Sequence, residues 1–271
     1  MQVHHSGYYQ WLTQPISNRD KHNKELTIHI KELFKECNGI YGYRNIHKDL
    51  IASGIAVNKK RVARLMSVAN LCGVGSYKRK PKHKSGAKHK AYNNHLQQCF
   101  ITNKPNESWV SDITYIRTHE GWIYLATVID LFSRKVIGWS TSNRMTTPLV
   151  LDAMKMAVKR IKKTNTKVIL HSDQGSQYSS YDYKIFATKN NIIPSMSRRG
   201  NCYDNAVAES FFKTLKKELV RKQVFLTREI TASKIFEYIE MFYNAKRRHS
   251  YLGYISPNEF EKRYNESVKK V

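Results

Sequence analysis

The order of apolar patterns between residues 109 and 219 constrains this chain most. Three β-rich runs come first, at 109–117, 122–130 and 135–141. Thr118-His-Glu-Gly121 and Leu131-Phe-Ser-Arg134 separate them. Short breaks of this kind between β-rich runs predict an antiparallel meander. A helix is predicted over 148–162, where Leu149, Ala153, Met156, Ala157 and Ile161 form an inward stripe. A strand (167–171), a helix (181–189), a strand (192–196) and a helix from 204 to about 219 follow. Three antiparallel strands and then alternating helix and strand make an α/β domain with a mixed five-stranded sheet. In such a sheet the first strand commonly lies centrally, beside the strand that follows the first helix.

The flanks differ in texture. Residues 20–37 read as an amphipathic helix through Leu26, Ile30, Leu33 and Phe34. A second helix at 44–53 carries Ile46 and Leu50 inward, and Asn58 is placed to cap a third. That third helix holds Lys59, Lys60, Arg61 and Arg64 on its wet side, with Val62 and Leu65 facing in. Two short helices about a Gly turn, the second one basic, are compatible with a helix-turn-helix unit, or with a basic helical subdomain that packs on something else. Residues 75–106 show no apolar periodicity. They include Lys78, Arg79 and Lys80, and no acid occurs between Asp49 and Glu107. This stretch reads as a flexible basic linker that touches phosphates. The predicted organisation is a helical DNA-binding region at 1–74, the linker at 75–106, a core at 107–220 and a helical extension at 221–271.

Charge narrows the partner. The chain carries 47 Lys and Arg against 21 acids, a formal net charge of +26. Each Lys or Arg docked on a phosphate releases condensed counterions, so nucleic acid is the expected partner. No apolar run approaches the roughly 20 residues of a membrane span. Cys37, Cys72, Cys99 and Cys202 are scattered without a Cys-x-x-Cys pair, which argues against structural zinc and for reduced thiols. The N-terminus lacks a charged start followed by an apolar core, so no signal peptide is expected.

Three acids stand at the edges of core elements. Asp112 lies within the first strand, Asp173 follows the fourth, and Glu209 sits on the helix beyond the fifth. Each has an ordinary reading: Asp112 as a cap or ion pair, Asp173 as a turn opener, Glu209 as an i,i+4 partner of Lys213. Together they suggest carboxylates that converge and need cations between them. Mg²⁺ or Mn²⁺ suits such oxygen donors, and two ions about 4 Å apart serve in-line phosphodiester displacement. Asp204 reads as the N-terminal cap of the Glu209 helix, and Asp130 as a structural turn residue.

Several long stretches carry a resemblance. Trp-Val-Ser-Asp-Ile-Thr (109–114), Ile-Asp-Leu-Phe-Ser-Arg-Lys-Val-Ile-Gly-Trp (129–139) and His-Ser-Asp-Gln-Gly-Ser-Gln-Tyr (171–178) are three of them. Ser-Arg-Arg-Gly-Asn-Cys-Tyr-Asp-Asn-Ala-Val-Ala-Glu-Ser-Phe-Phe-Lys-Thr-Leu-Lys (197–216) is the fourth. In this order they resemble the transposases of the bacterial "IS three" insertion-sequence family, within the retroviral-integrase superfamily. Tyr-Gly-Tyr-Arg (41–44) resembles that family's helical DNA-binding region. Arg-Arg-His-Ser-Tyr-Leu-Gly-Tyr-Ile-Ser-Pro (247–257) resembles its C-terminal signature.

The resemblance implies a ribonuclease H-like core and a DDE triad that maps onto Asp112, Asp173 and Glu209. It also places a basic residue two helical turns beyond the Glu, here Lys216, with Lys213 one turn on; both are expected to hold phosphates of the transposon end. The implied function is DNA 3′-end cleavage and strand transfer on double-stranded DNA, with Mg²⁺ or Mn²⁺, by a homo-oligomer in the bacterial cytoplasm near the nucleoid. Relatives commonly act as fusions with an upstream frame, and this chain looks like the second-frame product. A structure-selective nuclease on the same fold and a catalytically silent DNA-binding regulator are the competing readings.

Overall fold

A computed structural model describes residues 4–13, 17–74, 92–161, 167–198 and 202–269. Lys78, Arg79 and Lys80 lie outside the described residues. The chain divides into two compact units, Met1–Tyr77 and Lys78–Val271.

In the first unit, α1 (His5–Thr13) precedes α2 (Asn18–Glu36), α3 (Tyr43–Ala52) and α4 (Lys59–Val68). The sequence pattern did not anticipate α1, whose exposed Tyr8, Tyr9 and Leu12 form no buried stripe. Leu26 and Ile30 of α2, Ile46 and Leu50 of α3, and Val62, Leu65 and Met66 of α4 are buried. The Asn58 side chain accepts from the Lys60 N–H at 2.8 Å, capping α4 as expected.

The second unit is built on a sheet in the order β3-β2-β1-β4-β5. Its strands are β1 (Ser108–Thr118), β2 (Gly121–Asp130), β3 (Val136–Ser142), β4 (Val168–Ser172) and β5 (Ile192–Met196). The first three run antiparallel, whereas β4 is parallel to β1 and β5 to β4. Side chains alternate across the strands, and both faces are covered. On one face Ala126, Val128 and Trp109 pack with Leu149, Val150, Ala153 and Ala157 of α5 (Thr147–Arg160). Tyr183 of α6 (Tyr181–Lys189) joins the same layer. On the other face Val110, Ile116, Leu125 and Ile129 meet Ala208, Phe211 and Leu215 of α7 (Ala206–Glu218).

The C-terminal segment completes this second layer. Ile235 of α8 (Arg228–Phe236), and Tyr238, Ile239 and Tyr243 of the π-helical stretch that follows, are buried there; α9 (Pro257–Lys269) ends the described chain. Residues 92–106, expected as linker, also lie against the core. The His95 N–H donates to Ser195 Oγ at 2.9 Å and Leu96 is buried in the α7 layer. Among the described residues no helix is long and apolar enough to cross a membrane.

Gly138 sets how closely α5 approaches the sheet. A Cβ there would stand 2.1 Å from the Ala153 carbonyl oxygen and 2.9 Å from the Ala157 nitrogen. Only a residue without a side chain lets the helix backbone lie directly on β3.

Candidate active site

Strand register brings two of the acids together. Val110 of β1 pairs in parallel with His171 of β4. Two residues further along each chain direction come Asp112 and Asp173, close enough that Asp173 acts on the Asp112 carboxyl. β4 has ended by this point, so Asp173 leaves the sheet at its carboxyl edge, where open α/β sheets bind their ligands.

Local bonds fix both side chains. Asp112 Oδ1 accepts from the Ile113 N–H at 2.7 Å. Asp173 Oδ1 accepts from the Gly175 N–H at 3.1 Å, the turn geometry expected of Asp-Gln-Gly. A Cβ on residue 175 would press on that carboxylate at 3.0 Å.

Behind Asp173, the buried His171 ring is held between two serines. Ser195 Oγ accepts from His95 N–H at 2.9 Å and lies 2.8 Å from Nδ1, to which it donates when the ring carries its proton on Nε2. Ser197 Oγ donates to the Ser172 carbonyl at 3.2 Å and accepts from Nε2 at 3.1 Å. One neutral tautomer satisfies the whole network. Burial pushes the His171 pKa down to about 4, which keeps the ring in that form. Next to Asp112, the buried Ser111 hydroxyl pairs with Tyr178 at 2.8 Å, and Asn205 Nδ2 donates to the Ser111 carbonyl at 3.2 Å.

Electrostatics tie in the third acid. The Asp112 carboxyl is raised to about 7 by burial, by the neighbouring Asp173 and, less strongly, by Glu209; the Ile113 N–H and Lys216 oppose the rise. Burial also raises Asp173, although this residue keeps a solvent-exposed side. Glu209 is exposed in the first turn of α7. Lys216 is half-buried and lies 5.0 Å from the centroid of the Tyr115 ring; burial lowers its ammonium pKa and the Asp112 charge opposes that. Lys213, one turn nearer Glu209, stands exposed. Among the described residues, no group of three or more His, Cys, Asp or Glu is close enough to hold one ion. The donor chemistry nevertheless fits a hard divalent cation. Two adjacent carboxylates crowd each other enough to raise a pKa, and a third comes within electrostatic range.

Other expected residues fall elsewhere. Asp204 is not the cap of α7; Asn205 holds that position, with no side-chain capping bond. Asp204 lies in the preceding 3₁₀ turn, wholly buried, and accepts from Asn94 Nδ2, Gln98 Nε2 and both the backbone and guanidinium of Arg198. Asp130 is buried at the other end of the strands and takes N–H bonds from Asn106 and Ser133. On α4, Lys59, Lys60 and Arg64 are exposed, whereas Arg61 Nε donates to Asn23 Oδ1 at 3.0 Å and ties α4 to α2.

A five-stranded mixed sheet with helices on both faces, and two neighbouring aspartates where its β1–β4 pairing ends, defines an integrase-type core. Comparison with known proteins agrees. Residues 102–202 and 209–264 match two families described as Integrase core domain, and residues 21–81 match the HTH-like domain. A chain of the simian T-cell lymphotropic virus intasome, solved in complex with PP2A regulatory subunit B56 gamma, superposes with a TM-score of 0.50 at 14% identity. The match covers 86% of this chain and 74% of that one.

Closer relatives set the family. Transposase InsF for insertion sequence IS3A of Escherichia coli (strain K12) is 41% identical over 263 residues, 96% of this chain and 91% of that protein. The insertion element IS600 uncharacterized 31 kDa protein of Shigella sonnei is 40% identical over 267 residues, 97% of each. The chain belongs to the IS3 family of insertion-sequence transposases and is a DNA-processing enzyme.

Proposed function

We propose that this enzyme cleaves the 3′ ends of its insertion sequence and transfers them to a new phosphodiester, with Asp112, Asp173 and Glu209 as the catalytic carboxylates. The placement of Asp112 beside Asp173, where the parallel pairing ends, carries this reading. These three residues would hold two Mg²⁺ or Mn²⁺ ions. Bound there, the cations supply a deprotonated water at neutral pH and neutralise charge on the leaving oxygen. The His171 network fixes the end of β4, and through it the position of Asp173. Lys216 offers a cation on the same helix as Glu209, suited to a DNA phosphate near the reacting bond. Lys213 would meet the same strand further out.

The division of labour follows from the two units. Residues 1–74 would grip double-stranded DNA through Lys59, Lys60 and Arg64 of α4, while residues 107–220 perform the chemistry and 221–271 buttress α7. Work on two element ends calls for more than one protomer on DNA, with an upstream-frame partner or fusion supplying further contacts. The test uses Asp112→Asn and Glu209→Gln in the full chain. Both should abolish Mg²⁺-dependent cleavage of end DNA while retaining DNA binding; cleavage by either variant would overturn the assignment. Pre-nicked ends separate transposase from nuclease, because joined products exclude an enzyme that only cuts.

A further inference from the structure

Two stretches named for their resemblance, 129–139 and 247–257, play no part in the carboxylate site. The fold brings them together against α7. There they line a cavity of about 230 Å³ with Arg134, Arg247, His249 and Tyr251 on one side and Ser210 and Thr214 of α7 on the other. No acidic side chain lines it.

Two buried nitrogens at this cavity lack partners. Arg134 is 6% exposed; its Nη2 donates to the Phe100 carbonyl at 2.9 Å, but Nη1 is buried and makes no hydrogen bond. His249 Nδ1 is likewise buried and unpartnered. A buried guanidinium N–H without an acceptor bears a desolvation penalty, so native structures rarely leave one without a reason. The backbone at Arg134 is itself in the left-handed region, with φ of 58°, and Tyr243 Oη donates to its carbonyl at 3.1 Å. Non-glycine residues held this way cluster at ligand sites.

The surroundings select an anion. Glu218 already engages Arg247 through Nε and Nη2 at 2.8 and 2.7 Å, which fixes that guanidinium but leaves Arg134 without a carboxylate. The fields of Arg247 and Arg134 add to burial in holding the His249 ring neutral. A neutral imidazole can still donate one N–H. Tyr251, half exposed, lies with its ring centroid 4.1 Å from the Arg134 guanidinium and flanks the cavity on its open side.

α7 links this cavity to the carboxylates. Glu209, Lys213 and Lys216 form one stripe of the helix, and Ser210 and Thr214 form the adjoining stripe about 100° around it. We propose that this cavity holds a backbone phosphate of the DNA strand, with Arg134 and His249 as donors, at an offset from the cleaved bond fixed by α7. The proposal rests on the reading of the carboxylates as a DNA-cleaving site.

The test measures binding of the full chain, in the Asp112→Asn background, to a 30-base-pair duplex across a NaCl series. That background separates the two ideas: cleavage by Asp112→Asn overturns the catalytic reading, whereas the phosphate contact is read from affinity alone. Thr214→Glu places a carboxylate in the cavity and Thr214→Gln adds the same bulk without charge. The expected result is at least tenfold weaker binding for Glu than for Gln at low salt, with a salt slope lower by about 0.9, the value for one lost contact. Equal affinities would overturn the proposal. Inorganic phosphate titrated into the unsubstituted chain, followed by the His249 ring resonances, should shift them, and duplex should abolish the shift. Persistence of the phosphate signal with saturating duplex would show a free-phosphate site and would also overturn it, as would no signal at all.

Discussion

Asp204→Ala should destabilise the catalytic unit more than any surface change, although Asp204 touches none of the reacting groups. The carboxylate accepts from Asn94 Nδ2 (3.0 Å), Gln98 Nε2 (2.7 Å) and three Arg198 donors, the backbone N (2.8 Å), Nε (3.2 Å) and Nη2 (3.1 Å). Removing one partner of a buried pair costs about 3–5 kcal/mol. The Arg198 side chain is 63% exposed and regains water, which puts the expected loss near the lower end, about 3 kcal/mol. For a unit of this size that lowers Tm by about 6–12 °C. The Arg198 side chain and backbone N–H hold the Asp204 carboxyl well below the usual carboxylate range against the opposing effect of burial. A depressed folded-state pKa stabilises above the unfolded pKa, about 4, and that contribution disappears as pH falls toward the folded value. Wild type should therefore lose its advantage over Asp204→Asn between about pH 5 and pH 2. Urea and thermal melts at pH 7 and across the acid range measure both effects. A loss under 1 kcal/mol for the alanine variant, or a wild-type advantage that does not shrink on acidification, refutes the anchoring role.

Two more perturbations follow from packing and charge. Gly138→Ala should cost at least about 3 kcal/mol, the upper end for overpacking, because the new methyl meets helix backbone; a melting curve within 2 °C of wild type would show that α5 yields freely. Lys60→Ala with Arg64→Ala should lower the salt slope of duplex binding by about 2, with little sequence dependence; an unchanged slope places α4 away from the phosphates.

The sheet order was legible because its elements alternate cleanly and the runs at 109–141 and 167–196 match their strands within one or two residues. The proximity of Asp112 and Asp173 followed from the same order, since a central first strand next to the fourth leaves few alternatives. At Asp204 the sequence pattern misleads for a local reason. Asp and Asn stand in sequence there, and either could cap α7 by spacing alone. The choice is made by Asn94 and Gln98, about a hundred residues upstream, and by a 3₁₀ turn that moves Asp204 out of the cap position. Residues 92–106 lacked periodicity because they contribute isolated contacts, such as Leu96, instead of a regular face. Lys213 and Lys216 share a helix stripe in the sequence, but only Lys216, three residues further from the exposed end of α7, lies where the protein partly encloses it. The cavity around Arg134 had no sequence signature of its own, because its lining comes from three segments that are distant along the chain.

The early end of the β1–β4 pairing also leaves part of a strand edge to be covered by other groups. Beyond Val110, β1 continues to Thr118 with one flank no longer covered by β4. A bare flank of that kind is a template for another strand, from a second copy or from an unfolded neighbour. Here side chains occupy it. Asn205 takes the Ser111 carbonyl, the Asp112 carboxylate takes the Ile113 N–H, and the far end is closed by a bridge from Thr118 to Phe225. The Asp112 carboxylate, the residue proposed for the chemistry, thus also withholds a backbone donor of this flank from pairing with another strand.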